Sequence, residues 1–271
     1  MKVAENQPNG HDAYAPAEIA QRVEKLGIAK TNYPSLTVFI LAVLAGAFIS
    51  MGALFYIFVV SDPTLGFGVT RLLGGLAFSL GLILVIIAGA ELFTGNNLIA
   101  MAWASGKISA AAVLKNWLLV YAGNVVGCLI SVWIVVMTDL GGMNNQSIAE
   151  TSVAIASAKC SMSFIAAFAR AVLCNALVCI AVWLAMGGHS VTDKILAIIF
   201  PVTAFVTIGL EHSIANWFFL PLGYHYQSSG NIQIESMSMN FLATTLGNII
   251  GGTFLVSSVY WLAYIRPVRK K

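Results

Sequence analysis

Two stretches of the chain carry an acid where the surrounding sequence is apolar: Gly89-Ala-Glu91-Leu-Phe-Thr94-Gly-Asn96 and Gly209-Leu-Glu211-His212-Ser-Ile-Ala-Asn216. Each reads glycine, any residue, glutamate, four residues, asparagine. A charge at the centre of a bilayer costs about 3 kcal/mol on insertion scales, so an ionisable residue there marks a functional site by default. The second copy adds His212, the only histidine inside such a stretch, at the repeat position opposite Phe93. A lone buried histidine is more often structural. Beside Glu211, however, this one offers a side chain that exchanges a proton near neutral pH and could let a weak-acid anion cross as the neutral acid. Thr94 supplies a hydroxyl that both donates and accepts, or a cap for the segment after it. Asn96 and Asn216 read as scaffold that holds the two stretches. Lys159, ahead of the fourth apolar stretch, is a snorkelling lysine taken alone; at the mouth of a pore it would concentrate anions. Arg170, three turns further in, should pair with Glu91 or Glu211 or else face a polar subunit contact. Phe78, Leu82, Leu92, Phe93, Phe200 and Phe205 bracket the polar clusters; such side chains usually pack, but a hydrophobic ring also excludes hydrated ions and passes a neutral acid at lower cost.

The elements that must position these residues are membrane helices. The sequence is 59% hydrophobic and 9% charged, with a mean hydropathy of +0.86, against about 25% charge in soluble domains. Six apolar stretches, at 36–60, 72–103, 111–138, 161–186, 193–224 and 239–264, are each long enough to span a bilayer. The first 34 residues lack the apolar region of a signal peptide, which predicts a cytoplasmic amino terminus. A six-span topology puts eleven of the fourteen Lys and Arg residues on that same side, with Arg71 and Lys159 opposite and Arg170 inside a span. That asymmetry predicts a multi-pass protein of the cytoplasmic (inner) membrane with both termini in the cytoplasm. Pro16, Ile19, Val23 and Leu26 predict a short amphipathic helix that stops at Gly27. Cys128, Cys160, Cys174 and Cys179 have no CxxC spacing and read as small packing residues. With one histidine in the membrane and no HExxH, neither a metal nor another cofactor is expected; an intramembrane enzyme would want three protein ligands for a metal. Nucleic acid is not an expected partner.

The duplication extends further. Gly123-Asn124-Val-Val-Gly127 returns as Gly247-Asn248-Ile-Ile-Gly251, and Gly52-Ala-Leu54 is matched with Asn175-Ala-Leu177. The separations are 120 residues (Gly89 to Gly209), 124 (Gly123 to Gly247) and 123 (Gly52 to Asn175). Constant order and offset imply two halves of three spans, and an odd number of spans turns the second half upside down. Spans two and five, long and interrupted by polar residues, are expected to be broken helices whose free backbone groups line a cavity or are buried in protein. The glycines of the Gly-Asn motifs read as small-residue contacts between helices. Asn124 and Asn248 are expected to bond the backbone of the breaks.

Gly89-Ala-Glu-Leu-Phe-Thr94, Lys159, Cys174-Asn-Ala-Leu-Val-Cys179 and Gly209-Leu-Glu-His-Ser-Ile-Ala-Asn216, in this order, resemble the formate/nitrite transporter family, over about residues 36–264. The resemblance implies an all-α, aquaporin-like protomer of six spans with broken second and fifth helices, assembled as a homopentamer in lipid with one pore per subunit. It makes Thr94 the pore threonine, His212 the central histidine, Lys159 the vestibule lysine and Asn175 the span-four asparagine, with constrictions at Phe78, Leu82, Leu92 and Phe205. The implied cargo is a small monovalent anion together with a proton: formate first, then nitrite, hydrosulfide, acetate or lactate. Two departures bear on substrate: Thr94-Gly-Asn-Asn-Leu98 is more polar than the corresponding run of enteric formate channels, and the surroundings of Lys159 lack their neighbouring histidines. The transmembrane domain is assigned to 36–264, after a cytoplasmic segment, 1–35, and before a basic tail, 265–271. A neutral-solute pore of the water or glycerol type would also suit inverted repeats, but paired Asn-Pro-Ala motifs are missing.

Overall fold

The computed structural model describes residues 13–228 and 230–269. Lys2, His11, Lys270 and Lys271, which enter the charge and histidine counts, lie outside them. All regular structure among the described residues is helical: α1 (Pro16–Asn32), α2 (Ser35–Val60), α3 (Phe67–Ala88), α4 (Ala100–Ala104), α5 (Ala110–Met137), α6 (Ser147–Cys160), α7 (Phe164–Gly187), α8 (Val191–Ile208), α9 (Ser213–Tyr226) and α10 (Ile234–Ile250), which continues in widened π turns to Ile265 and a last turn, α11 (Arg266–Arg269), with short 3-10 turns at Pro63–Leu65, Gly95–Ile99 and Leu140–Gly142. Among the described residues, six stretches are long and apolar enough to cross a membrane: α2, α3, α5, α7, α8 and Ile234–Ile265. Among the spans, α2 packs on α3 and α5, α7 on α8 and α10, and α3 on α8.

Two helices stop in the middle of apolar sequence. Gly89 (φ 81°) follows α3 and Gly209 (φ 84°) follows α8. A left-handed residue after a helix is cheapest as glycine, and it turns the next N–H back onto the last carbonyls. Ala90 N–H accordingly bonds the Val85 carbonyl at 2.9 Å, and Leu210 N–H bonds that of Phe205 at 2.9 Å. After the first break the chain resumes as a 3-10 turn, Gly95–Ile99, and the short α4; after the second it resumes as the full helix α9.

Equivalent contacts recur across the two halves. The side chain of Asn124 accepts Phe93 N–H at 2.9 Å and donates to the carbonyls of Ala42 (2.7 Å) and Glu91 (2.9 Å). Asn248 accepts Ser213 N–H at 2.8 Å and donates to the carbonyls of Ala171 (2.8 Å) and Glu211 (3.0 Å). A Cβ on Gly127 would overlap the Val43 carbonyl, and one on Gly251 the Val172 carbonyl. α2 therefore corresponds to α7 at an offset of 129, from Ala42 to Ala171 and Val43 to Val172, which corrects the expected match of Gly52 with Asn175. Asn175 answers to Gly46. Likewise Phe93 answers to Ser213, so the repeat partner of His212 is Leu92 and not Phe93.

Two further expectations, at Gly27 and Phe200, need correction, and one helix was not expected. Gly27 does not stop α1, which runs on to Asn32; it is a contact point, where a Cβ would lie 3.3 Å from both Ile99 Cα and Ala102 Cβ. The stretch before Lys159 is a helix, α6, and its offset from α1 is again 129, so the amphipathic segment is the first element of the repeat. Phe200 is 74% exposed on the outside of α8 and borders neither break.

Candidate functional site

The glutamates sit in matched polar knots. Glu91 Oε1 accepts from Lys30 Nζ at 2.9 Å and its Oε2 from Asn96 Nδ2 at 2.7 Å, and Asn96 Nδ2 also reaches Asn116 Oδ1 at 3.0 Å. Glu211 Oε1 accepts from Lys159 Nζ at 2.8 Å and its Oε2 from Asn216 Nδ2 at 2.7 Å, and Asn216 Nδ2 reaches Asn240 Oδ1 at 2.8 Å. Both carboxylates are buried. A buried charge persists only when it is paired and its lone pairs are occupied, and here each acid has a cation and an amide. The knots bind the end of a helix (Lys30 of α1, Lys159 of α6) to a break.

The two halves meet where they differ. His212 precedes the first turn of α9, and its Nδ1 accepts Ala215 N–H at 3.1 Å as the helix N-cap. A ring nitrogen facing an N–H must present its lone pair, so the neutral imidazole carries its hydrogen on Nε2 and donates it to Thr94 Oγ1, 3.0 Å away. Thr94 and His212 are both buried. Asn175 lies behind this pair: its Nδ2 donates to the carbonyls of Thr94 (3.2 Å) and Asn248 (2.7 Å). Cys179 and Asn97 also donate to the Thr94 carbonyl, at 3.5 Å and 3.3 Å. Asn175 is thus brought to the backbone of Thr94 and borders neither of the cavities that follow.

One cavity, of about 550 Å³, is lined by α6 and the second break, including Lys159, Glu211, His212, Phe78 and Phe205. The other, of about 380 Å³, is lined by α1 and the first break, including Lys30, Glu91, Asn96, Leu82, Leu92 and Lys194. The four sequence-predicted constriction residues divide between them, and all four are buried. Phe78 stands edge-on to Phe205 with centroids 5.8 Å apart, and Phe205 stacks on the His212 ring at 6.0 Å. Phe93 packs elsewhere, edge-on to Tyr121 at 4.9 Å.

Arg170 pairs with neither glutamate; its Nη1 donates to the Gly209 carbonyl at 3.4 Å. Arg71 does similar work from α3, with Nε on the Thr207 carbonyl (3.1 Å), Nη2 on that of Val206 (2.8 Å) and Nη1 on Tyr56 Oη (2.9 Å). Cations at a helix C-terminus complement its dipole. Lys30, Asn116, Asn240 and Arg71 escaped sequence reasoning. The offsets could have found three of them: Lys30 stands 129 residues before Lys159, and Asn116-Trp117 stands 124 before Asn240-Phe241, in the register of the Gly-Asn motifs.

A sequence model described as formate/nitrite transporter matches residues 17–262. The chain is 38% identical to the formate channel FocA of Escherichia coli, over 95% of its own length and 97% of that protein. A solved pentameric formate channel with formate bound is 39% identical, with a TM-score of 0.80, and the match covers 85% of this chain and 98% of that one. An ion channel of the same family superposes with a TM-score of 0.80 at 30% identity, covering 92% and 98% of the two chains. With its paired glutamate knots and the threonine–histidine contact between two cavities, this chain belongs to the formate/nitrite transporter family.

Proposed function

We propose that the protein is a channel for small monovalent weak-acid anions, with formate as its first substrate, in which a proton is relayed at His212. The observation that carries this reading is the 3.0 Å contact between Thr94 Oγ1 and His212 Nε2, set between two cavities that each hold lysine. An anion in the α6-side cavity faces His212 beside Phe78 and Phe205, whereas the way on to the α1-side cavity leads to the apolar Leu82 and Leu92, and charge makes that passage expensive. Protonation removes the charge. Because Nδ1 already accepts Ala215 N–H, a second proton on the ring opens the cap of α9, and its release closes the cap again. One solved relative is described as a pentameric formate channel with formate bound, which supports a homopentamer in lipid with one pore per subunit. The two halves run in opposite directions across the bilayer, with both termini in the cytoplasm and Lys159 at the outer mouth. Asn175 orients the substrate through the Thr94 backbone that it holds.

Proteoliposomes carrying the full chain should take up formate faster than empty vesicles, with faster uptake at lower pH. A series with nitrite, hydrosulfide, acetate and lactate across the same pH range ranks the alternatives. If none of these weak acids enters faster than through bare lipid, the reading is wrong.

A further inference from the structure

The cations of the α6-side cavity are not equivalent. Lys159 is neutralised by Glu211 at 2.8 Å, as Lys30 is by Glu91 at 2.9 Å. Arg71 and Arg170 have no carboxylate within ion-pair distance among the described residues; every acceptor assigned to them is a carbonyl or the Tyr56 hydroxyl. Both line this cavity. They converge on one residue: Arg170 Nη1 reaches the Gly209 carbonyl, and a Cβ on Gly209 would lie 2.9 Å from Arg71 Nη2. Gly89, its counterpart, has nothing within 4 Å of such a Cβ. The fold thus brings two guanidinium groups to Gly209, with no carboxylate among the described residues paired to either. Arg71 carries five N–H groups and uses three. The spare ones belong to nitrogens already fixed in place, and an ordered guanidinium presents paired donors that suit a planar oxyanion.

We infer that Arg71 and Arg170, which meet at Gly209, form an outer binding site for a small planar monoanion of the carboxylate or nitrite type, which loads the α6-side cavity ahead of the Thr94–His212 pair. This inference rests on the anion-channel reading and assigns the collecting charge to the arginines in place of the neutralised Lys159. The lining holds three cations, Arg71, Lys159 and Arg170, against the one carboxylate of Glu211, and a cleft with an excess of positive charge raises the local concentration of anions.

The test is formate flux through the full-length protein in proteoliposomes of known orientation, with a second measurement that needs no flux. Arg71→Gln and Arg170→Gln should each raise the half-saturating formate concentration about threefold or more when formate is added on the α6 side, with the maximal rate little changed. Formate added on the α1 side should show no such rise, and Arg71→Lys should restore much of the wild-type value. The shift should shrink at high ionic strength. In detergent, the line broadening of carbon-13 formate by the protein should weaken in the double glutamine variant. An unchanged half-saturation, or an equal loss of maximal rate from both sides, would show that the arginines only hold the end of α8. Should wild-type protein broaden the formate signal through Arg71 and Arg170 yet carry no flux, the outer site stands and the channel reading fails. Unaltered broadening in the double variant overturns the site in either case.

Discussion

His212 holds two jobs that one substitution cannot separate and a pair can. Its Nδ1 caps α9 on Ala215 N–H, and its Nε2 touches Thr94. Asparagine is among the best N-cap residues, whereas apolar residues cost about 1 kcal/mol there. His212→Asn should therefore unfold at nearly the wild-type temperature in detergent, while the pH dependence of its formate flux flattens because no protonable ring remains. His212→Phe should lose both the cap and the pH dependence. A wild-type pH profile in His212→Asn would remove the histidine from proton transfer. The cap could not be read from the sequence, because histidine is not a usual capping residue and nothing in Glu211-His212-Ser213 announces which ring nitrogen faces the helix. Thr94 was legible as a hydroxyl in a polar break. Asn175 was legible only by resemblance, and its position behind the Thr94 carbonyl depends on Gly252, where a Cβ would lie 2.5 Å from Asn175 Nδ2.

At the scale of elements, glycine positions divide by mechanism. Gly46 and Gly127 let α2 and α5 touch backbone to backbone; a Cβ on Gly46 would overlap the Asn124 carbonyl. Asn124 in turn binds the carbonyls of Ala42 and Glu91 and the Phe93 N–H, so the first break hangs from this contact. Gly89 has free space around it and needs only its left-handed φ of 81°. Gly89→Ala should then cost about 1–2 kcal/mol of backbone strain and still fold, whereas Gly46→Ala should fail to give a stable protein unless α2 and α5 separate. Thermal unfolding of the two variants in detergent checks the order; equal stability would contradict it. The six spans and both interruptions were legible, because hydropathy marks the length of a span and polar residues inside it mark the break. The correct register of α2 on α7 was not. Gly46 and Asn175 are unlike residues at equivalent places, so similarity selected the wrong pair, and only the contacts to Ala42 and Ala171 reveal the offset. The correspondence of α1 with α6 is hidden for a similar reason: their sequences share little beyond a lysine near the end, and only the reach of Lys30 and Lys159 to a buried glutamate reveals it.

The whole molecule presents a wide apolar exterior. Phe67, Leu118, Ile165 and Phe200 are each more than 70% exposed, which suits surfaces covered by lipid or by other subunits and leaves the number of pores per assembly to be argued from the interior. Every group of the proposed path comes from one chain: Lys30 and Glu91 at one cavity, Lys159 and Glu211 at the other, and Thr94 with His212 between them. In a symmetric ring this gives each subunit its own pore, so subunits should conduct independently. Thr94→Val keeps the volume near that of threonine and removes the hydroxyl that His212 Nε2 touches, and homomeric Thr94→Val should carry little formate. Wild-type and Thr94→Val chains co-expressed in equal amounts should then form mixed assemblies with about half of the wild-type flux, whereas one shared pore that needed five intact subunits would leave about 3%. Purified mixtures of known ratio, measured in proteoliposomes at constant total protein, separate the two. A straight line through the origin against the wild-type fraction supports a pore within each subunit. A steeply curved one would place the conducting path on the axis between subunits, where the Thr94–His212 contact could not serve it.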